Sequence, residues 1–147
     1  MKKYLYLALV ALIFSACQTK QIQVVEDIYE NGNPKIVFDY LVKSNDSIPL
    51  HEIQYHEDGS KLLEGEYVDG LREGEWLSWF PDGSIWSKGY FSKGKRTGKS
   101  WVYHPNGQLY MKGTYENGHK IGLWLVFDEE GNVEAQQEFD GSEYEKP

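Results

Sequence analysis

Disulfide bonding within the chain is ruled out, because Cys17 is its only cysteine. The fold must therefore hold by packing alone. The sequence contains no Gly-x-Ser-x-Gly, no phosphate loop and no second thiol, so the common signatures of nucleophilic catalysis and nucleotide binding are missing. Positive charge is short as well: 15 Lys and Arg stand against 23 Asp and Glu, a net charge of −8. Binding to nucleic acid needs a basic footprint and is not expected. Apolar runs are scarce. Tyr4 to Phe14 spans 11 residues, well short of the ~20 that a membrane-crossing helix needs. No later stretch keeps a helical period.

What is present starts at the N-terminus. Met1-Lys2-Lys3 is a positive leader start, Tyr4 to Phe14 has the length of a signal core, and the small residues Ser15 and Ala16 precede Cys17. Ile13-Phe14-Ser15-Ala16-Cys17 resembles a lipobox, the site where bacteria attach lipid to a cysteine and then cleave ahead of it. The resemblance implies that residues 1–16 are a leader, that Cys17 carries the lipid, and that residues 17–21 are a short tether. It further implies a membrane-anchored protein of the cell envelope, at the outer membrane and facing periplasm or exterior. Without Lys2 and Lys3, 13 basic side chains remain against 23 acidic ones, a net charge of −10. Ile22-Gln23-Val24-Val25 already reads as a strand. A tether of about five residues reaches at most ~17 Å, which keeps the domain near the membrane surface.

The rest of the chain repeats. Gly59, Gly83, Gly107 and Gly131 lie 24 residues apart, as do Gly65, Gly89 and Gly113, then Gly70, Gly94 and Gly118, then Gly74, Gly98 and Gly122. Tyr55, Trp79, Tyr103 and Phe127 keep the same period, and so do Tyr67, Phe91, Tyr115 and Phe139. Gly32 and Tyr40 continue it backwards at a spacing of 27, which places a three-residue insertion between Lys43 and Pro49. The expected units are a degenerate first repeat over residues 22–54, a regular array over 55–139 and an acidic tail over 140–147.

Each unit holds two short aromatic-rich runs and two turns. Pro81-Asp82-Gly83 and Pro105-Asn106-Gly107 suit a type I turn followed by a left-handed glycine, the three-residue hairpin with a bulge. That loop puts Phe80 opposite Ser84 and Trp79 opposite Ile85. Carried along the strands without interruption, the register puts Leu77, Trp79, Ile85, Gly89 and Phe91 on one buried face. Trp101, Tyr103, Leu109, Met111, Gly113 and Tyr115 follow, then Leu125, Phe127, Val133, Ala135 and Phe139. Further turns at Asp69-Gly70, Lys93-Gly94 and Asn117-Gly118 join the hairpins. The expected fold is all-β, an elongated antiparallel meander of stacked 24-residue hairpins. Gly65, Gly89 and Gly113 are expected to let rings lie flat on the backbone.

The units resemble the bacterial variant of the MORN repeat. The likeness rests on Gly74-Glu75-Trp76, on Trp79-Phe80-Pro81-Asp82-Gly83 and on Lys88-Gly89-Tyr90-Phe91-Ser92-Lys93-Gly94-Lys95-Arg96-Thr97-Gly98. It covers Tyr55 to Phe139 well and Ile28 to Tyr40 weakly. It implies a single elongated sheet serving as a scaffold or binding module without a cofactor. Some bacterial members are labelled antitoxins, which gives antitoxin-like neutralisation of a partner protein as an alternative. The cell-wall-binding repeats of choline- and glucan-binding proteins are also short aromatic-glycine hairpins. Their paired aromatics sit further ahead of the turn glycine than Trp79-Phe80 does.

Candidate chemistry is thin. His56 and His104 hold the same repeat position two units apart, about 19 Å in a meander, too far to share an ion. His51 is five residues from His56, and His119 lies in another turn, so no metal site is expected. Glu64, Glu66, Glu73 and Glu75 fall on adjoining strands and read as a solvated surface rather than a general acid and base. No catalytic residue and no cofactor are expected. Two surfaces remain. Trp76, Trp86, Tyr90, Tyr110 and Trp124 would form an exposed aromatic stripe opposite Trp79 and Phe91, a platform for an envelope protein or a glycan. Lys88, Lys93, Lys95, Arg96 and Lys99 gather positive charge that would suit anionic lipid headgroups, as the MORN resemblance also implies.

Overall fold

The structure, a computed structural model, describes residues 20–43 and 46–141. Cys17, with the leader and most of the tether, lies outside them. Ten strands make one antiparallel sheet in strict sequence order. They are β1 (Lys20–Ile28), β2 (Pro34–Lys43), β3 (Asp46–Tyr55), β4 (Lys61–Val68), β5 (Leu71–Trp79), β6 (Ile85–Ser92), β7 (Lys95–Tyr103), β8 (Leu109–Glu116), β9 (His119–Phe127) and β10 (Val133–Phe139). No helix occurs among the described residues, so the expected all-β meander is the fold. The predicted insertion lengthens strands: β2 and β3 have ten residues each, where β4 and β5 have eight and nine.

The turns follow the sequence chemistry. Gly83 donates its N–H to the Phe80 carbonyl and the Phe80 N–H bonds to the Ser84 carbonyl, each at 2.9 Å, closing the predicted three-residue loop. Gly83 sits at φ +84°, a left-handed conformation in which a side chain would be strained. Asp82 accepts from the Ser84 N–H at 2.8 Å and from its hydroxyl at 2.6 Å. These bonds hold its carboxyl below the ordinary value.

The register departs from expectation one residue beyond the loop. Trp79 faces Ile85 as predicted, but Ser78 faces Ser87, which leaves Trp86 as an extra residue in a β-bulge. Equivalent shifts occur between β3 and β4, β7 and β8, and β9 and β10. An odd insertion flips every side chain beyond it. Trp76 therefore lies opposite Gly89, and Ser100 opposite Gly113. The face expected to carry Leu77, Trp79, Ile85, Gly89 and Phe91 together is split. Leu77, Trp79 and Ile85 are on one side of the sheet, Gly89 and Phe91 on the other. The same bulge separates Trp101, Tyr103 and Leu109 from Met111, Gly113 and Tyr115.

Burial follows the corrected register. The side that holds Gly65, Trp76, Phe91, Gly113 and Trp124 is here called the ring face. Trp76 and Trp124 are the most buried tryptophans, at 4% and 3% exposure, while Trp79 is half-buried with Lys61 5.3 Å over its ring. Val37 is the third buried apolar residue among those described. A single sheet has no second layer to bury against, so packing runs between neighbouring side chains along one face.

Candidate functional site

The ring face is built at seams, where a strand of one hairpin meets a strand of the next. In the β4/β5 seam the Trp76 indole lies directly on Gly65. A Cβ at Gly65 would come within 2.2 Å of that ring. In the β8/β9 seam Trp124 covers Gly113 in the same way, with 2.1 Å for the equivalent Cβ. Each indole is held edge-on by two more rings. Tyr67 and Phe91 flank Trp76 at 5.5 and 5.7 Å, and Tyr115 and Phe139 flank Trp124 at 5.0 and 6.3 Å. A cation caps each indole: the Arg72 guanidinium 4.0 Å from the Trp76 centroid, the Lys120 ammonium 4.4 Å from that of Trp124.

The β6/β7 seam between them has the same frame and no indole. Its glycine is Gly89, and the residue that corresponds to Trp76 and Trp124 is Ser100. A Cβ at Gly89 would meet nothing closer than Arg96 Nη1 at 3.8 Å and Ser100 Oγ at 3.9 Å. Phe91 and Tyr115 stand on either side, and the Arg96 guanidinium spans the gap, 5.4 Å from each ring. Beside it opens a hollow of about 370 Å³, lined by Leu63, Ser78, Trp86, Ser87, Ser100 and Val102, with Arg96 at its rim. Small side chains make this space. Ser78 and Ser100 are buried at 4% and 5% exposure, and Ser78 Oγ lies 2.6 Å from Ser87 Oγ.

In the β2/β3 seam Phe38 stands opposite Glu52, so the ring comes from the glycine side. The buried Glu52 carboxylate accepts from the Tyr67 hydroxyl at 2.7 Å, with Arg72 Nη2 at 3.4 Å and the Gln54 amide beside it. Burial raises the Tyr67 pKa above the ordinary value.

The predicted aromatic stripe does not exist as one surface. Trp76 and Trp124 keep the side opposite Trp79 but are interior, because the bulges of β6 and β10 bring Phe91 and Phe139 to their side of the sheet. Tyr90 lies on the opposite side, against Trp101 at 6.4 Å, and donates to Glu75 at 2.9 Å. Trp86 and Tyr110 are the bulge residues and are exposed, at 45% and 40%. Of the predicted stripe, Trp86 alone borders the hollow.

The predicted basic cluster is also divided. Lys88 pairs with Glu75, and the hydrogen bonds of Lys88 and Tyr90 hold that carboxyl below its usual value. Arg96 belongs to the ring face. Lys93 and Lys95 line a shallow hollow of about 340 Å³ with Ser92, Thr97 and Asn117, where Glu73 already accepts from the Lys93 N–H at 2.7 Å. Lys99 precedes the buried Ser100 and lies on the opposite side of the strand. His56 and His104 each bond through Nε2 to the backbone carbonyl of the next unit, Trp79 at 3.0 Å and Phe127 at 2.9 Å. Among the described residues no three His, Cys, Asp or Glu side chains converge on a common point, and no helix is long and apolar enough to cross a membrane.

Sequence reasoning did not find Ser78, Ser87 and Ser100. The available signal was Ser100 itself, which breaks the Trp76 and Trp124 spacing of 48 residues at its midpoint.

The sheet and its seams define an antiparallel hairpin-repeat array whose units interlock by rings laid on glycines. Residues 72–93, 96–117 and 120–140 match the family profile of the MORN repeat variant. Each match covers one hairpin, β5–β6, β7–β8 and β9–β10, so the indole seams fall between hairpins. The chain has no match among the curated proteins searched.

Proposed function

We propose that this chain is a lipid-anchored envelope protein that works as a protein-interaction module, with the ring face as its binding surface. One observation carries the reading. A single-layer sheet keeps an aromatic face closed at two seams and opens it at the third, over a hollow with buried hydroxyls and an arginine at its rim. Concave, mostly apolar sites with a few polar groups are where ligands bind. The MORN resemblance supports an interaction role, and the lipobox supports anchoring through Cys17. The glycan alternative rested on a continuous exposed stripe, and the burial of Trp76 and Trp124 removes that support.

The test uses a photo-crosslinking residue in place of Trp86, beside the hollow, or of Leu123, exposed on the opposite side. In intact cells the Trp86 position should yield one discrete protein adduct and the Leu123 position none. Adducts from both, or from neither, would contradict the reading. Cys17→Ser should move the protein out of the detergent-rich membrane fraction or leave it unprocessed, and unchanged partitioning would remove the anchor.

A further inference from the structure

We propose that the indole-free place over Gly89 at the β6/β7 seam, spanned by Arg96 and open beside it to the hollow, is a socket for a tryptophan side chain supplied by a protein partner. This rests on the reading of the ring face as a protein-binding surface and names the group that surface takes. The chain itself meets the same packing problem at three glycine seams. At the outer two seams an indole lies on the glycine, between two edge-on rings and under a cation. At the middle seam the glycine, both rings and the cation are in place, while Ser100 supplies no ring.

Gly89 is the most telling part. Its φ is not in the left-handed region, and a Cβ would fit there at 3.8 Å from its nearest neighbour. Nothing in the fold of this chain alone needs a glycine at this position. A flat ring laid on the backbone does need one, as the 2.2 and 2.1 Å distances at Gly65 and Gly113 show. Arg96 lies midway between Phe91 and Tyr115 rather than stacked on either. Over an incoming indole it can adopt the stacked place that Arg72 has over Trp76, where a cation is attracted by the ring face. The hydroxyls of the buried Ser78 and Ser100 and the half-buried Ser87 offer acceptors for an indole N–H, which favours tryptophan over a phenyl ring.

The experiment titrates N-acetyl-tryptophanamide into the intact protein and follows backbone amide signals by NMR. N-acetyl-leucinamide and N-acetylglucosamine serve as controls. The expected result is saturable shifts centred on Gly89, Arg96 and Ser100, with a dissociation constant on the order of 1 mM for so small a ligand, and none with the controls. Gly89→Ala should melt at or slightly above the wild-type temperature yet weaken binding at least ~10-fold, since its Cβ occupies the ring's place. Ser100→Trp should abolish binding and raise the melting temperature by roughly 5 °C, by supplying the ring in cis. The proposal is overturned if the tryptophan amide does not bind, if it binds wild type and Gly89→Ala alike, if the sugar saturates the site instead, or if Ser100→Trp lowers the melt. A persistent Trp86 crosslink without tryptophan binding would refute the socket and leave the interaction reading standing. Tryptophan binding without any crosslink would do the reverse.

Discussion

The β4/β5 and β8/β9 seams and the β6/β7 seam between them are made of corresponding residues, and they differ by one indole. Where Trp76 and Trp124 sit, the glycine beneath each is obligatory and the flanking rings interlock. Where Ser100 sits, the row of ring contacts that runs from Phe38 through Tyr67 and Trp76 to Phe91 stops, and resumes at Tyr115. The loop edge shows the same interruption. Tyr29 donates to the Tyr55 carbonyl at 2.8 Å, His56 to that of Trp79 and His104 to that of Phe127. Phe80, at the corresponding place in the middle, has no donor, and its ring lies 6.1 Å from Trp86. In a repeat array each unit leans on its neighbours and stability is close to a sum over seams. One open seam is tolerable when those beside it are closed, and it is where a binding surface costs the fold least.

The comparison breaks most readily at the closed seams. Trp76→Ala and Trp124→Ala should each destabilise by ~3–5 kcal/mol, as truncations of buried tryptophan do. Trp79→Ala, at a half-buried ring on the opposite side, should cost about 1–2 kcal/mol. Denaturant melts of the three variants check this, and a larger loss at Trp79 than at Trp76 would mean that the ring face is not the packed side.

A smaller effect sharpens the loop-edge contrast. His56→Phe and His104→Phe keep a ring but remove the bond to the next unit, and each should cost ~1 kcal/mol by the same melts. Phe80→His should not destabilise by a comparable amount, because Phe80 spans no such link. Equal losses at all three would erase the difference between the seams.

The smallest effect is a titration. The Asp82 carboxyl is held below its ordinary 3.8 by the Ser84 hydroxyl and N–H. A depressed folded value means that the contribution of this turn is present above 3.8 and is lost as pH falls through the lowered value. In the next unit Asn106 accepts from the Gln108 N–H at 2.9 Å and cannot titrate. The Ser84 amide signal should therefore move with a midpoint below 3.8 while that of Gln108 stays still. A Gln108 shift with the same midpoint would assign the change to something other than the turn carboxylate.

What the sequence disclosed and what it withheld divide at the bulge. Pro81-Asp82-Gly83 encodes its turn locally, through a proline-set φ, an acceptor side chain and a left-handed glycine, so hairpins, strand order and repeat length were legible. The pairing of Trp79 with Ile85 follows from the loop and was legible too. The extra residue at Trp86 was not, because no local preference demands it. It brings Phe91 to the side of Trp76, where the two rings pack at 5.7 Å, and one such residue exchanges the faces. Trp76 and Trp124 were therefore read as exposed, although the rings brought to their side bury them. The hollow stayed hidden, since Ser78, Ser87 and Ser100 become a site only when three strands bring them together.

Gly65 and Gly113 are required by rings of this chain, and Gly89 is not. The most direct measurement is a parallel thermal melt of Gly65→Ala, Gly89→Ala and Gly113→Ala. The first and third should each lose ~1–3 kcal/mol through a Cβ driven into an indole. Gly89→Ala should hold its melting temperature or gain slightly, by up to ~1 kcal/mol, because alanine restricts the unfolded chain. A loss at Gly89→Ala as large as the other two would contradict the account.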